Sequence, residues 1–168
     1  MESLIFGRVF RFGDDIDTDL LAPGAFLKLP PAALARHCLE AVDPDFAALV
    51  RPGDFVVAGR NFGLGSSREQ AAVSLKLLGV AAVLALSFAR IFYRNAINLG
   101  LPALVMPDAG RVQSGDRLTL DAGTGVVENL TQDQRYPVAP MPPHLLTMIA
   151  AGGLIPYLKQ KFAVGAVP

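Results

Sequence analysis

The chain has 168 residues, 52% of them hydrophobic, enough for one domain with a real core and compatible with an apolar face covered by a partner. Fifteen basic and fifteen acidic residues cancel, which excludes a net field that would draw the chain to nucleic acid or a membrane surface. One cysteine, Cys38, excludes an intramolecular disulfide and a self-contained Cys-ligated metal or Fe–S site.

In chain order, the start carries acidic Glu2 and no long apolar run, so no secretory signal is expected. The longest apolar run, residues 80–86, is far short of the ~20 residues that span a bilayer, and a cytoplasmic protein is expected. Residues 4–12 read as an opening strand. Gly13-Asp14-Asp15-Ile16-Asp17-Thr18-Asp19 then crowds four carboxylates together. Asp15-x-Asp17-x-Asp19 imitates a calcium loop, but Leu20 and Phe26 stand where that loop needs glycine and a bidentate glutamate, so calcium is rejected. Two readings stay open: a solvated turn, or a turn whose aspartate orients an arginine. The Pro- and Gly-rich residues 23–31 read as a loop, and residues 31–41 as a helix with proline at its start. His37 and Cys38 are adjacent in that helix and so face different ways; both read as structural.

A turn at Arg51-Pro52-Gly53-Asp54 feeds a buried strand over Phe55-Val56-Val57-Ala58. Residues 59–70 form a glycine-rich polar turn, and a helix over residues 68–78 follows, with Ala71, Ala72, Leu75 and Leu78 as its apolar stripe. Residues 80–86 read as a strand buried on both faces. Ser87 is placed to cap a helix over residues 88–99, whose core stripe would be Phe88, Ile91, Phe92, Ala96 and Leu99, with Arg90 and Arg94 off it. Residues 101–106 are another buried strand. The block 56–106 thus reads β-α-β-α-β, with parallel strands and right-handed crossovers. Beyond Asp108, glycines punctuate antiparallel hairpins near residues 117–120 and 125–128. Two short helices follow, near residues 144–150 and 154–162, and then a frayed tail at 163–168. His144, after a proline pair, is expected to be exposed or capping.

The glycine-rich turn carries the chemistry. A strand ending in a turn that opens a helix presents unpaired N–H groups and a positive dipole end. It is not a P-loop, since Gly59 to Gly65 is one residue too long and the lysine is absent. It is not a dinucleotide fingerprint, since Arg68 stands at the third glycine, nor a hydrolase elbow, which needs G-x-S-x-G. Helix-capping serines and an anion cradle both remain compatible with these residues.

Three segments in order resemble one family. Gly63-Leu64-Gly65-Ser66-Ser67-Arg68-Glu69 resembles the signature of the aconitase-type swivelling domain. Asp15-Ile16-Asp17-Thr18-Asp19-Leu20-Leu21-Ala22-Pro23 is similar to its first segment, and Ala85-Leu86-Ser87-Phe88-Ala89-Arg90-Ile91-Phe92 with Asn95 to its second. Chain length and the C-terminal region are similar to the small subunits of 3-isopropylmalate dehydratase and homoaconitase. The resemblance implies one α/β domain over residues 1–168, of the swivelling β/β/α type. Its mixed sheet would have a parallel β-α-β-α-β core, antiparallel C-terminal hairpins and short terminal helices.

It also implies a hydro-lyase small subunit that moves a hydroxyl between adjacent carbons of a 2-hydroxy acid, as in isomerising 2- and 3-isopropylmalate in leucine biosynthesis. A homoaconitase or dimethylmalate-type dehydratase subunit is the alternative; a non-catalytic partner subunit or a small-anion binder is the reading from a different class. The implied 4Fe–4S cluster belongs to a large partner subunit in a heterodimer or heterotetramer, and none is bound by this chain. By motif match, Ser66 is the implied catalytic base, Ser67 and Arg68 bind the substrate carboxylate, and Asp19 orients Arg68. Ala25-Phe26-Leu27-Lys28-Leu29 corresponds to the specificity loop, in which Lys28 would meet a distal carboxylate and Phe26, Leu27 and Leu29 a branched apolar group. Gln70 replaces a histidine carried by many relatives, a change expected to tune activity without abolishing it.

Overall fold

The computed structural model describes residues 4–165. Strand β1 spans Ile5–Arg11, and short helices α1 (Thr18–Leu21), α2 (Pro31–Ala35) and α3 (Phe46–Leu49) follow it. Then come β2 (Phe55–Ala58), α4 (Glu69–Leu77), β3 (Ala82–Ala85), α5 (Arg90–Asn98) and β4 (Ala103–Val105). The C-terminal part holds β5 (Arg117–Asp121), β6 (Val126–Asn129), β7 (Gln134–Pro137), α6 (Pro143–Ala150) and α7 (Leu154–Gly165).

The strands form one mixed sheet in the order β4-β3-β2-β1-β5-β6-β7. β1 to β4 run parallel, with Val56 opposite Val83 and Val83 opposite Ala103, as the β-α-β-α-β reading requires. β5, β6 and β7 extend the sheet antiparallel from the other side of β1. The expected mixed α/β fold is therefore the observed one.

Every residue of β2 and β3 is buried because successive side chains enter opposite cores. Val56, Ala58, Val83 and Ala85 pack with α1, α2, α4 and the inner face of α5. Phe55, Val57, Ala82 and Leu84 pack with β5, β6 and α6. Two buried carboxylates close turns around β1. Asp54 accepts the backbone N–H groups of Arg8 (3.0 Å) and Arg51 (2.8 Å). Asp116 accepts from Asn129 Nδ2 (2.8 Å), Gln132 Nε2 (2.7 Å) and the Gln113 backbone (2.9 Å).

Several expectations are corrected in detail. The helix expected over 31–41 stops at Ala35 and continues as turns, because Leu39 takes a positive φ of 61° so that its N–H can reach Leu20 O at 2.8 Å. Ser87 does not cap α5, which begins at Arg90 after Ala89; its Oγ accepts instead from the Asn61 N–H at 2.8 Å. Within α5, Ile91 faces solvent and Ile97 joins the core, unlike the expected stripe. β7 and the short α1 and α3 are additional to the sequence reading. α7 runs through Gly165, so residues 163–165 of the expected tail are helical, while residues 166–168 lie outside the described residues.

Candidate active-site half

The glycine-rich turn leaves the C-terminal end of β2 and lies between the acidic turn and the start of α5. Its backbone is tied to both. Gly63 N donates to Ile16 O (2.7 Å), Thr18 N to Leu64 O (2.9 Å), Phe62 N to Ser87 O (3.0 Å) and Ala89 N to Phe62 O (2.9 Å). Asp15 and Asn61 both take left-handed backbone conformations, φ 58° and 59°, and are joined by an Asn61 Nδ2 to Asp15 Oδ1 hydrogen bond of 2.9 Å. Asp and Asn tolerate that region best among residues with a side chain. The acidic run is thus neither a calcium loop nor a merely solvated turn: Asp14 Oδ1 accepts from Arg60 N (2.7 Å), and Asp17 Oδ1 accepts from Leu20 N (2.8 Å), capping α1.

Two glycines need their freedom here. Gly63 has φ +83°, and a Cβ on it would run into the Phe92 ring. Gly65 has φ +106°, and a Cβ there would come within 3.1 Å of Thr18 Oγ1. Phe92 is buried, edge-on to Phe62 with ring centroids 5.1 Å apart, so the turn is seated on a packed aromatic cluster.

These ties bring together residues far apart in sequence. Arg68 Nη1 donates to Asp19 Oδ1 at 2.7 Å, across 49 positions, and to Ala22 O at 3.1 Å. The same Asp19 oxygen accepts the Gly24 N–H at 2.9 Å. These donors hold the Asp19 carboxyl below its usual value, the Arg68 hydrogen bond acting most strongly and the Gly24 N–H next. One guanidinium nitrogen is fully engaged, so the plane of the fork is set and its other edge stays available to a carboxylate. Ser66 and Ser67 are exposed, and Ser66 Oγ lies 3.3 Å from Thr18 Oγ1.

No side chain caps α4, so neither serine serves as the cap that one reading offered. Its N-terminal N–H groups and dipole open beside Arg68 and Ser66. Thr18 is the site residue that the sequence reading did not single out; it is buried, and its position in the acidic segment was the available signal.

The expected specificity loop sits over the same corner. Gly24–Phe26 forms a 3-10 turn next to Arg68, and Lys28 is exposed with no ion pair among the described residues. The Phe26 ring stacks on the His37 imidazole at 3.7 Å, and His37 Nδ1 is 2.9 Å from Glu40 Oε2, so His37 anchors the loop. Leu27 and Leu29 line a pocket of about 240 Å³ with Pro31, Leu34, Val73, Ser74 and the first-turn residues Glu69 and Gln70.

Cys38 is wholly buried, which pushes its thiol far above the usual range, and no group of three His, Cys, Asp or Glu among the described residues could hold a metal. With one cysteine, itself buried, this chain does not supply the several thiolates that an Fe–S cluster needs. Among the described residues no helix is long and apolar enough to cross a membrane.

Known proteins are similar to this chain over most of its length. The Aconitase C-terminal domain family matches residues 40–109. A 3-isopropylmalate dehydratase small subunit from Moorella thermoacetica is 54% identical over 160 residues, covering 94% of this chain and 96% of that one. A methanogen homoaconitase small subunit from Methanothermobacter thermautotrophicus is 50% identical over 162 residues, covering 95% and 94%. A crystal structure of 3-isopropylmalate dehydratase from Methanocaldococcus jannaschii superposes with a TM-score of 0.92 at 40% identity, covering 98% of each chain.

Proposed function

The chain belongs to the aconitase-type hydro-lyase small-subunit family that includes the 3-isopropylmalate dehydratase small subunits, and from that premise we propose that it supplies one half of an isomerase active site acting on isopropylmalate. The observation that carries the reading is the convergence of Ser66, Arg68 and Asp19 at one exposed corner, with Arg68 held at 2.7 Å and its fork open. In this reading Ser67 and the free edge of Arg68 bind the carboxylate next to the reacting carbon. Ser66 Oγ, as an alkoxide, takes the proton from that carbon, which becomes acidic beside a carboxylate held by a cation. Three groups stabilise the alkoxide: the start of α4, the Arg68 guanidinium, and a hydrogen bond donated by Thr18 Oγ1. Loss of the hydroxyl from the neighbouring carbon gives the alkene. Rehydration with the proton and hydroxyl exchanged between the two carbons gives the isomer, with Ser66 returning the proton.

Departure of the hydroxyl calls for an electrophile that the described residues do not hold, and we assign it to the 4Fe–4S cluster of a large partner subunit. The family supports a large subunit as partner; a heterodimer or a tetramer fits equally. Cytoplasmic biosynthesis is the setting this reading implies, with the single domain spanning residues 1–168.

Isopropylmalate is favoured over a substrate with a distal carboxylate by the chemistry behind the loop. The pocket is walled by Leu27, Leu29, Pro31, Leu34 and Val73, and its charged residue is Glu69, which repels a carboxylate. Ala25 and Lys28 are exposed at the loop surface, and Phe26 is occupied by His37. A dimethylmalate would satisfy the same apolar wall. The test is reconstitution with a cluster-bearing large subunit and assay of 2- to 3-isopropylmalate conversion against homoaconitate hydration. Ser66→Ala is expected to lower kcat by about 10²–10⁴-fold. Full turnover by that variant would remove Ser66 as base, and faster hydration of homoaconitate would overturn the substrate assignment.

A further inference from the structure

A cleft of about 730 Å³ opens beside the glycine-rich turn, lined by Gly63, Gly65, Ala89, Arg90, Ile91 and Arg94. Arg90 and Arg94 are one helical turn apart on α5 and both exposed; neither guanidinium has a hydrogen bond or ion pair among the described residues. Ile91 between them is 42% exposed, an apolar side chain set between the two guanidiniums. No carboxylate lines this cleft, in contrast to the Arg68 corner, where Asp19 balances the charge.

We propose that this cleft is the docking surface for an acidic segment of the large subunit, whose carboxylates pair with Arg90 and Arg94 while an apolar side chain covers Ile91. The proposal rests on the reading that a large subunit completes the site at Ser66. Gly65 lines the cleft and immediately precedes Ser66, so a partner that closes over Ser66 reaches this end of the cleft. Covering strips water from two guanidiniums that this chain leaves unpaired. Burying an unpaired charge is strongly unfavourable, and carboxylates in bidentate geometry are the groups that remove the penalty. A neutral or basic surface here would oppose assembly, so the cleft also discriminates between partners. Gly63 and Gly65 present bare backbone along the wall, which lets an extended segment approach closely.

The test measures assembly directly. The unsubstituted chain and an Arg90→Ala/Arg94→Ala double variant are titrated into cluster-bearing large subunit at 50 and 200 mM salt (roughly the range over which surface charge is progressively screened). Kd is read by calorimetry and kcat at saturating large subunit. The double variant is expected to raise Kd by about 30-fold or more and to flatten its salt dependence. An Arg90→Lys/Arg94→Lys variant should restore the salt dependence and part of the affinity. Both side chains are exposed, and circular dichroism of each variant confirms that the fold is kept. An unchanged Kd overturns the proposal, and so does a fall in kcat with Kd unchanged, since the arginines would then hold substrate. Ser66→Ala separates the two ideas: it should assemble with unaltered Kd while turnover is lost. Failure of the unsubstituted chain to assemble at all overturns both.

Discussion

Gly63→Ala isolates how the glycine-rich turn is held against α5, and two other glycines calibrate it. Gly110 has an ordinary backbone conformation and nothing within 4 Å of a Cβ built on it. Gly115 has φ +89° and equally open surroundings, so alanine there meets only backbone strain. Gly63 has φ +83° and, in addition, the buried Phe92 ring where the methyl would go.

Left-handed backbone costs an L-residue roughly 1–2 kcal/mol, and overpacking a dense core costs roughly 1–3 kcal/mol more. Gly110→Ala should therefore be neutral or slightly stabilising, Gly115→Ala should cost about 1–2 kcal/mol, and Gly63→Ala about 2–5 kcal/mol. For a chain of this size the last corresponds to a fall in Tm of roughly 4–20 °C. Rotating the Phe92 ring does not clear the methyl, because the Phe92 Cβ also stands where it would go. Urea denaturation of the three variants, read by circular dichroism, orders them. A Gly63→Ala cost no greater than that of Gly115→Ala would show that α5 yields to the methyl, and the account of a rigidly seated turn would fail.

Other consequences follow from the Arg68 corner and the α2–α4 pocket. Arg68→Lys keeps the charge but loses the fork, and kcat/KM of the reconstituted enzyme should fall about 10–150-fold, the loss of a charge-assisted hydrogen bond; a change under threefold would refute bidentate carboxylate binding. Asp19 titrates below the ordinary 3.8 because Arg68 and the Gly24 N–H stabilise its ionised form. Its contribution to stability is therefore present above 3.8 and is lost only as pH falls through the lower folded value. In carboxyl carbon NMR, Arg68→Met should move the Asp19 midpoint upward toward 3.8, and an unmoved midpoint would contradict the pairing. Ser74 Oγ is buried without a hydrogen-bond partner among the described residues, so Ser74→Ala should raise stability by about 0.5–1 kcal/mol in chemical denaturation. A measurable loss would instead reveal a partner for that hydroxyl.

Local pattern and composition were enough for much of the fold. Fully apolar runs at residues 55–58 and 80–86, each followed by a glycine-bounded helical stripe, dictate parallel strands with helical crossovers, since such strands can be buried only between two covered faces. One cysteine was enough to show that this chain cannot by itself supply the thiolates of an Fe–S cluster. The family was legible because three segments match its pattern in order, and the resemblance supplied Ser66, Arg68 and Asp19 as the residues proposed for the site.

Packing decided the rest. Ser87 stands where a helix cap belongs by sequence, yet the Asn61 N–H claims its hydroxyl, α5 starts later, and Ile91 turns outward. Phe26 reads from the sequence only as an apolar residue of a loop, and the fold adds that its ring stacks on His37. β7 has no clear alternation, being an edge strand with only Tyr136 buried, so its pairing with β6 creates it. Thr18 gains its place beside Ser66 from backbone bonds between two turns, and no local periodicity encodes contacts across 48 positions. Side-chain chemistry and helix or strand period are written in neighbouring residues, and the sequence therefore determined which groups this protein can use. Which of them meet is set by how the acidic turn, the glycine-rich turn and α5 close on one another, and that only the tertiary structure decided.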